Sequence, residues 1–173
     1  MSYGLNLVRL PAGIDPGVAY AQYQEEQVRY YEAGLSAADR LGPIDPAKEE
    51  RKERIAAALM ASDPSLRKFE RNYARIAAGE SISEAEARRR FRNIELNDRQ
   101  HSIQIELFDD EAGVSFSFTG KGEDCIAAVR TLWGCLQVLE SEGGYRTYDP
   151  QIARVLDLHC DFDAVCASFC GAS

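Results

Sequence analysis

The hydrophobic residues of this chain change their spacing near Ile94, and this change limits the possible folds more than any other feature. Upstream, apolar side chains recur every three or four residues, as they do across residues 66–76. Downstream, apolar and polar side chains alternate across residues 103–107 and again across residues 114–118, which end at Phe118. A spacing of three or four predicts helices with one apolar face, and alternation predicts strands with one buried face. The chain is therefore expected to combine helices with strands.

The order of these patterns predicts the fold class. A first strand, Tyr3 to Leu10, precedes a helix-rich part over residues 11–92, and a strand-rich part follows over residues 94–173. A chain of 173 residues is long enough to bury a core within one domain, residues 1–173. We predict an α+β fold: a single domain with a mainly antiparallel sheet of about five strands and helices packed on one face.

Four of the six prolines follow an aspartate. Aspartate accepts hydrogen bonds from the free N–H groups of a first helical turn, and proline lacks the N–H that would be unpaired there. Three pairs precede helical patterns and are predicted to open helices: Asp15-Pro16, Asp45-Pro46 and Asp63-Pro64. The fourth pair, Asp149-Pro150, lies between predicted strands at residues 145–148 and 152–158, where it is expected to form a turn.

The remaining elements follow from capping residues and apolar stripes. Residues Ser83 to Glu86 have the pattern of a capping box at the start of a short helix. The longest helical stripe spans residues 122–142, and the pair Gly143-Gly144 is expected to end that helix. A short helix over residues 161–169 is predicted near the end of the chain, and residues 35–46 are predicted to form an exposed loop.

The five cysteines are Cys125, Cys135, Cys160, Cys166 and Cys170. Their number is odd, none belongs to a Cys-x-x-Cys motif, and the opening residues lack the pattern of a secretory signal. We therefore interpret all five as reduced thiols that pack as small hydrophobic side chains. The alternative is a metal site formed by His159, Cys160, Cys166 and Cys170, although its spacing departs from that of zinc sites. No metal or other cofactor is predicted.

The net charge of −8 is unevenly distributed. Residues 1–100 contain 16 basic and 16 acidic side chains, whereas residues 101–173 contain 4 basic and 12 acidic ones. Surplus negative charge repels nucleic acids and anionic membranes and attracts basic partners; the alternative is that it serves only solubility. No apolar segment approaches the roughly 20 residues that a membrane helix needs. We predict a soluble, cytoplasmic protein that binds neither nucleic acid nor membrane.

No motif in the chain indicates an enzyme. The sequence lacks the glycine-rich phosphate loop, the dinucleotide fingerprint, the zinc-protease helix and the nucleophile elbow. The basic run RRRFR, residues 88–92, is interpreted as a helix end, where cations are favourable. We predict no enzymatic activity. The alternative is a small enzyme or ligand-binding domain with a pocket beside His159 and Cys160, although neighbours in a strand point to opposite faces.

Acidic residues near the predicted strand ends are the candidate binding residues. If the late strands share one sheet, the loops at one end bring several carboxylates together, which is unfavourable unless a cation or basic protein faces them. Nearby aromatic side chains are candidate anchors, with core packing as the alternative. The predicted partner-binding residues are Asp109, Asp110, Glu111, Glu140, Glu142, Tyr145, Tyr148, Asp157, Asp161, Phe162 and Asp163.

Three segments carry a resemblance to a known class of proteins: the opening MSYGLNLVRL, the hairpin ELFDDEAGVSFSF and the closing YDPQIARVLDL. Together with the long amphipathic helix, this layout resembles the small cytoplasmic immunity proteins of bacterial type VI secretion and other polymorphic toxin systems. The resemblance implies a non-enzymatic inhibitor that binds a cognate toxin, often a basic nuclease, and occludes its active site. We expect such an inhibitor to be a monomer or a homodimer.

Overall fold

The computed structural model describes residues 3–10, 13–34, 42–117, 120 and 122–170; residues 35–41 of the predicted loop and Phe118 lie outside this part. Six helices and seven strands follow one another along the described residues. In chain order they are β1 (Tyr3–Arg9), α1 (Pro16–Glu32), α2 (Pro46–Ser62), β2 (Arg67–Lys68), α3 (Tyr73–Glu80), α4 (Glu84–Arg90), β3 (Ile94–Asp98), β4 (Ile103–Leu107), β5 (Glu111–Phe116), α5 (Glu123–Gly143), β6 (Tyr145–Asp149), β7 (Arg154–Val155) and α6 (Phe162–Cys170). None of these helices has the length and apolar character needed to cross a membrane.

The strands form one antiparallel sheet in the order β2-β3-β4-β5-β1-β6-β7. The first strand of the chain lies inside the sheet, where Leu7 pairs with Ala112 of β5 on one side and with Thr147 of β6 on the other. This architecture confirms the predicted α+β class, although the sheet has seven strands and not about five. The additional strands are β2 and β3. The alternation that begins at Ile94 is the signal for β3, whereas β2 is too short to show a pattern.

The hydrophobic core lies between one face of the sheet and helices α2 and α5. Leu7 of β1 and Ile105 of β4 point into it and are fully buried. Ile55 of α2 and Leu139 of α5 are fully buried in the same cluster. Removal of such side chains from water, at roughly 25 cal/mol per Å², is the main contribution that holds these two helices on the sheet.

Helix α1 contacts the opposite face of the sheet. Along β1, Asn6 alternates with the buried Leu5 and Leu7, so its side chain points away from the core. The Asn6 amide donates to the Tyr20 hydroxyl of α1 at 3.1 Å, and the Tyr20 ring stacks on Tyr148 of β6. The main core therefore has its helices on one face, as predicted, and α1 adds a smaller contact on the other.

Side-chain caps begin three helices where the sequence predicts them. Asp15 accepts hydrogen bonds from backbone N–H groups in the first turn of α1. Asp45 accepts from the Ala47 N–H at 2.9 Å at the start of α2. Ser83 Oγ accepts from the Glu86 N–H at 3.1 Å at the start of α4. Each cap satisfies a donor that the first helical turn would otherwise leave unpaired.

The prediction of a helix after Asp63-Pro64 is wrong. Asp63 follows the end of α2, and its carboxylate accepts hydrogen bonds from the backbone N–H and the hydroxyl of Ser65, at 2.9 and 2.7 Å. The chain then enters β2, and α3 begins only after Asn72, which caps it. An Asp-Pro pair suits a turn as well as a helix start, because the same carboxylate can accept from an N–H two residues later in either structure.

Asp149 and Pro150 form the predicted turn between β6 and β7. Asp149 is fully buried, and its carboxylate accepts hydrogen bonds from the Gln151 N–H at 2.9 Å and from the Tyr3 hydroxyl. Burial and this carboxylate raise the pKa of Tyr3. The turn is therefore attached to β1 by a side-chain contact. The strand that follows is shorter than predicted and covers only Arg154–Val155.

The prediction that all five cysteines are free thiols is wrong. A disulfide joins Cys125, in the first turn of α5, to Cys170, the last residue of α6. Cys135, Cys160 and Cys166 are free. The bonded residues are 45 positions apart, a pairing that spacing along the chain does not reveal. The bond removes Cys170 from the alternative metal site, and no group of three or more His, Cys, Asp or Glu side chains within the described ranges could hold a metal ion.

Candidate functional site

The turn between β4 and β5 carries three candidate residues, and the first is neutralised inside the molecule. Asp109 accepts hydrogen bonds from Lys52 Nζ at 3.1 Å and from Arg92 Nε at 3.2 Å. Lys52 is fully buried in α2 and also donates to the Arg92 carbonyl at 3.0 Å. Burial acts to raise the pKa of Asp109, but the hydrogen bonds from Arg92 and Lys52 outweigh it and hold that pKa below its ordinary value.

Asp110, the second of these residues, is neutralised by further cations. It pairs with Lys48, with Arg51 Nη2 at 3.0 Å and with Arg9 Nη1 at 3.8 Å. Glu111 is half-buried at the start of β5. The cations around this turn lie upstream of it, between residues 9 and 92, and they largely compensate its negative charge. The turn attaches α2 to the sheet and leaves little charge to attract a partner.

The three aromatic candidates all have partners inside the molecule. Tyr145 is only 1% exposed and belongs to the core cluster, which corrects its prediction as a surface anchor. Tyr148 stacks on Tyr20 of α1. Phe162 contacts Trp133 edge-on, with ring centroids 5.5 Å apart. Core packing, the alternative considered for these rings, therefore describes Tyr145 and also Phe162, which packs against the core from α6, whereas Tyr148 contacts α1.

An open cleft of about 880 Å³ lies between helix α5, the start of β6 and the segment that joins β1 to α1. We call it the α5 cleft; its lining includes Ile14, Gly134, Val138, Ser141, Arg146 and His159. A Cβ atom at Gly134 would meet nothing within 4 Å. Glycine inside a helix costs roughly 0.5–1 kcal/mol relative to alanine. Since no neighbouring atom requires glycine here, the position leaves room for an incoming surface.

Glu140 and Arg146 line the α5 cleft, and Asp157 and Asp161 lie next to its lining residues Leu158 and His159 in the sequence. Glu140 pairs with Arg146 at 3.2 Å. The pKa of Asp157 is lowered by a backbone hydrogen bond and also by the nearby charge of Arg146. Asp161 accepts from the Asp157 N–H at 2.8 Å and pairs with Arg154. These contacts connect the end of α5, the start of β6 and the turn before α6 into one continuous surface.

This surface keeps an excess of negative charge. Glu142 and Asp163 are exposed beside the residues described above, and Arg54 donates to the Glu142 carbonyl at 3.4 Å. We define the acidic rim as Glu140, Glu142, Asp157, Asp161 and Asp163. Among the described residues, Arg146 and Arg154 pair with rim carboxylates, and Arg54 donates only to the Glu142 backbone carbonyl. The rim therefore contains five of the predicted binding residues and has more carboxylates than the arginines that contact it.

His159 and Cys160 lie in the turn before α6 and not in a strand, which corrects their predicted setting. Both residues are exposed. The Cys160 thiol donates to Asp157, and this hydrogen bond together with the carboxylate charge raises the pKa of the thiol. A raised pKa lowers the thiolate fraction, and the thiolate is the reactive form. The alternative of an enzyme with a cysteine nucleophile at this position gains no support from this geometry.

The basic run at the end of α4 is paired within its own helix. Arg88 donates to Glu84 at 2.7 Å, and Arg89 and Arg90 both donate to Glu86, at 2.7 and 2.6 Å. Hydrogen bonds from these two arginines lower the pKa of Glu86 to about 2. The geometry agrees with the interpretation of this run as a helix end, since its cations already contact carboxylates.

One buried carboxylate–imidazole pair is not predicted by the sequence analysis. In the turn between β3 and β4, Asp98 accepts from the Gln100 N–H at 2.7 Å and lies 2.6 Å from His101 Nδ1. Burial acts to raise the pKa of Asp98, but the hydrogen bonds from His101 and Gln100 outweigh it and lower that pKa. The free thiol of Cys135 is not a nucleophile that this pair could activate. Burial, with contributions from nearby carboxylates, raises the pKa of the Cys135 thiol to about 12. The pair fixes the turn, and an Asp-x-x-His spacing in a polar segment is its only sequence signal.

Comparison of the chain with protein-family models, with curated proteins and with solved structures gave no match. These results neither support nor oppose the resemblance to immunity proteins. Function is therefore inferred from the α5 cleft and its acidic rim, together with the layout of the sequence.

Proposed function

We propose that this protein is a non-enzymatic inhibitor of the immunity type that binds a basic toxin through the acidic rim of the α5 cleft. The observation that carries the proposal is the excess of rim carboxylates over the arginines that contact them, beside an open cleft. Such a surface attracts a cationic partner, and steered association can reach about 10⁸–10⁹ M⁻¹s⁻¹ at low salt. The acidic surface would occlude the active site of a basic nuclease by occupying the position of its substrate.

The proposal places the contact surface away from the turn between β4 and β5. Asp109 and Asp110 are already ion-paired within the molecule, and Tyr145 is buried. Glu142 and Asp163, by contrast, are exposed, so a partner can reach them without breaking internal contacts. We therefore propose these two residues as the principal charged contacts.

The cleft supplies apolar surface that the rim lacks. Ile14 is 39% exposed and lines the α5 cleft with the half-buried Val138. Stable interfaces bury roughly 800 Å² on each partner and combine an apolar centre with a polar rim. We propose that a segment of the toxin lies along the cleft, with basic side chains facing the rim. The resemblance further suggests action in the bacterial cytoplasm, as a monomer or a homodimer.

Where the gene lies beside one for a basic toxin-type effector, association kinetics with that effector test the proposal. Glu142→Lys and Asp163→Lys should each slow association about tenfold at low salt and reduce its dependence on salt, because each replaces an attractive charge by a repulsive one. The matched control is Glu25→Lys, the same charge change at an exposed residue of α1 whose side chain is 71% exposed. Stopped-flow fluorescence over a salt series measures the rates.

The possible results of this experiment distinguish an error in the proposed contact surface from an error in the proposed function. Equal slowing by the rim variants and by Glu25→Lys would show that net charge matters but that the acidic rim is not the contact. Failure of the unaltered protein to form a complex with the effector would refute the inhibitor function itself. Circular dichroism of each variant checks that its fold is unchanged.

A further inference from the structure

One disulfide attaches the last described helix to the rest of the molecule. Cys125 is 1% exposed in the first turn of α5, whereas Cys170 is half-buried at the end of α6. Among the described residues this is the only covalent link between segments distant in sequence. It therefore controls how firmly the two helices are held together.

Apart from the disulfide, α6 is attached by Val165 and by partly buried residues that pack against the core, which are Phe162, Cys166, Phe169 and Cys170. Val165 is the only residue of this nine-residue helix that is buried among those described. Phe162 contacts Trp133 with ring centroids 5.5 Å apart, and Phe169 contacts Phe116 at 4.7 Å. Helices of fewer than about 12 residues are marginal on their own in water. Helix α6 therefore depends on these few contacts and on the disulfide.

Helix α6 covers aromatic side chains of the sheet and of α5. Phe169 lies edge-on to Tyr3 of β1, with ring centroids 5.3 Å apart. The Trp133 indole N–H donates to the Leu158 carbonyl at 2.9 Å, in the segment that leads to α6. Release of the helix would expose Tyr3, Phe116 and Trp133 to solvent or to another protein.

We propose that the Cys125–Cys170 disulfide is a reversible redox latch that controls the docking of α6. A thiolate of a dithiol reductant attacks Sγ of Cys170, the more exposed sulfur; the S–S bond breaks, and Cys125 leaves as a thiolate that takes up a proton. The second thiolate of the reductant then displaces Cys170, which is protonated in turn. The reductant departs as its own disulfide, having supplied two electrons. In reducing compartments, where disulfides are rare, α6 is therefore released. A disulfide oxidant such as oxidised glutathione re-forms the Cys125–Cys170 bond by thiol–disulfide exchange, takes up the two electrons and two protons, and leaves as two thiols.

Release of α6 would also affect the acidic rim. Asp161 and Asp163 belong to the rim and flank the first residue of α6. Asp161 also accepts from the Asp157 N–H, so movement of α6 would displace Asp163 and disturb the turn that carries Asp157 and Asp161. On the proposed function, the oxidised form presents the complete rim, and the reduced form that a cytoplasm favours binds a toxin less tightly. The latch itself does not depend on that function.

Hydrogen exchange of the full chain, followed by mass spectrometry with and without dithiothreitol, tests the latch. Exchange over residues 162–170 should rise about tenfold or more on reduction, while the strands and helices α2 and α5 keep their protection. Trp133 is the only tryptophan, so its fluorescence should shift to the red in parallel. Unchanged exchange and emission on reduction, or loss of protection throughout the chain, would overturn the proposal.

Two variants distinguish the bond from other effects of the reductant. The double substitution Cys125→Ser with Cys170→Ser should show rapid exchange of α6 without reductant and no further response to it. Cys160→Ser removes an exposed thiol outside the bond and should respond as the unaltered protein does. Alkylation in denaturant after treatment with oxidised glutathione should leave Cys125 and Cys170 unlabelled, and labelling of all five cysteines would refute the latch. None of these measurements requires a toxin, so the latch and the inhibitor function can fail separately.

Discussion

Asp109 pairs with Lys52, the fully buried lysine of α2. Its removal would leave the fully buried Lys52 without one of its two carboxylate partners, while Glu49 remains at 2.7 Å. Loss of one member of a buried pair typically costs 3–5 kcal/mol, and the remaining partner places this case at the lower end. We expect Asp109→Asn to reduce the free energy of unfolding by about 3 kcal/mol, measured by urea denaturation.

Asp163→Asn is the matched control for this substitution. Asp163 is exposed in the first turn of α6, so the same change there should alter stability by no more than about 0.5 kcal/mol. A loss for Asp109→Asn as small as that of the control would mean that the ion pairs of the turn contribute little to stability.

The three free thiols should differ strongly in reactivity. Cys135 is 3% exposed and its pKa is raised to about 12, so it should resist alkylation at neutral pH. Cys160 is exposed and should react first, although more slowly than an unperturbed thiol, because Asp157 raises its pKa. Asp157→Asn should therefore accelerate alkylation of Cys160. Iodoacetamide labelling, followed by peptide mass spectrometry, measures all three rates.

The same labelling bears on the alternative of a catalytic cysteine. A Cys160 that reacts faster than a free thiol in a model peptide, and that slows in Asp157→Asn, would indicate an activated nucleophile in the turn before α6. That result would favour an enzyme over an inhibitor.

At the level of helices and strands, the sequence predicts those features that depend on residues adjacent in the chain, such as the starts of helices. The starts of α1 and α2 follow from Asp15 and Asp45, because a cap and the helix it begins are adjacent in the chain. The packing of α1 on the second face of the sheet is not predicted, because it depends on Asn6 and Tyr148 from strands distant in the sequence. The sequence does not distinguish a helix start from a turn at Asp63, because the carboxylate of Asp63 can accept a local hydrogen bond in either structure.

The sequence predicts the residues of the candidate site less well than it predicts the helices, because the pairing of each charged side chain depends on the tertiary structure. Charge counts identify Asp109 and Glu142 equally as acidic, yet only Asp109 meets a buried lysine. That difference depends on α2 crossing the sheet beside the turn between β4 and β5, and no local pattern specifies this contact. The disulfide is hidden for the same reason, because Cys125 and Cys170 meet only once α6 packs on α5.

Two glycines of α5 should respond in opposite ways to the same substitution. A Cβ at Gly143 would overlap the buried ring of Tyr145 and approach Ile55 Cδ1 to 3.3 Å, whereas one at Gly134 would meet nothing within 4 Å. Gly143→Ala should therefore lower the free energy of unfolding by about 1–3 kcal/mol through overpacking. Gly134→Ala should raise it by about 0.5–1 kcal/mol, because alanine is the better helix former.

Thermal and urea denaturation of both variants provide the comparison, and each variant serves as the control for the other. A change of the same sign in both would mean that helix propensity, and not the contact with Tyr145, determines stability at the end of α5. Gly134→Ala also narrows the α5 cleft by one methyl group. On the proposed function, this variant should therefore bind a toxin more weakly although the protein is more stable.

At the level of the whole molecule, the strand order lies beyond sequence patterns. Strand β1 lies between β5 and β6, so the residues it pairs with are more than a hundred positions away. Alternation specifies which face of a strand is buried but not which strand lies beside it. The sheet order therefore required the structure, although the class of the fold did not.

Acid should destabilise the molecule through Asp98 and Asp109. The folded-state pKa of each lies below the ordinary value of 3.8, so each contributes stability that is complete above that value. This contribution is lost as the pH falls through the lower folded-state pKa. We expect the free energy of unfolding to decrease below about pH 4, and less steeply in Asp98→Asn. Circular dichroism melts over a pH series measure the decrease, and a stability independent of pH in this range would contradict the prediction.

Strands β2 and β7, at the two ends of the sheet, contain only two residues each. An additional chain could find few unpaired backbone groups there, so self-association by strand addition is disfavoured. Whatever this molecule recognises must be selected by side chains on its helices and turns. Substitutions of exposed side chains on the helices and turns could therefore change its binding specificity without altering the strands of the sheet.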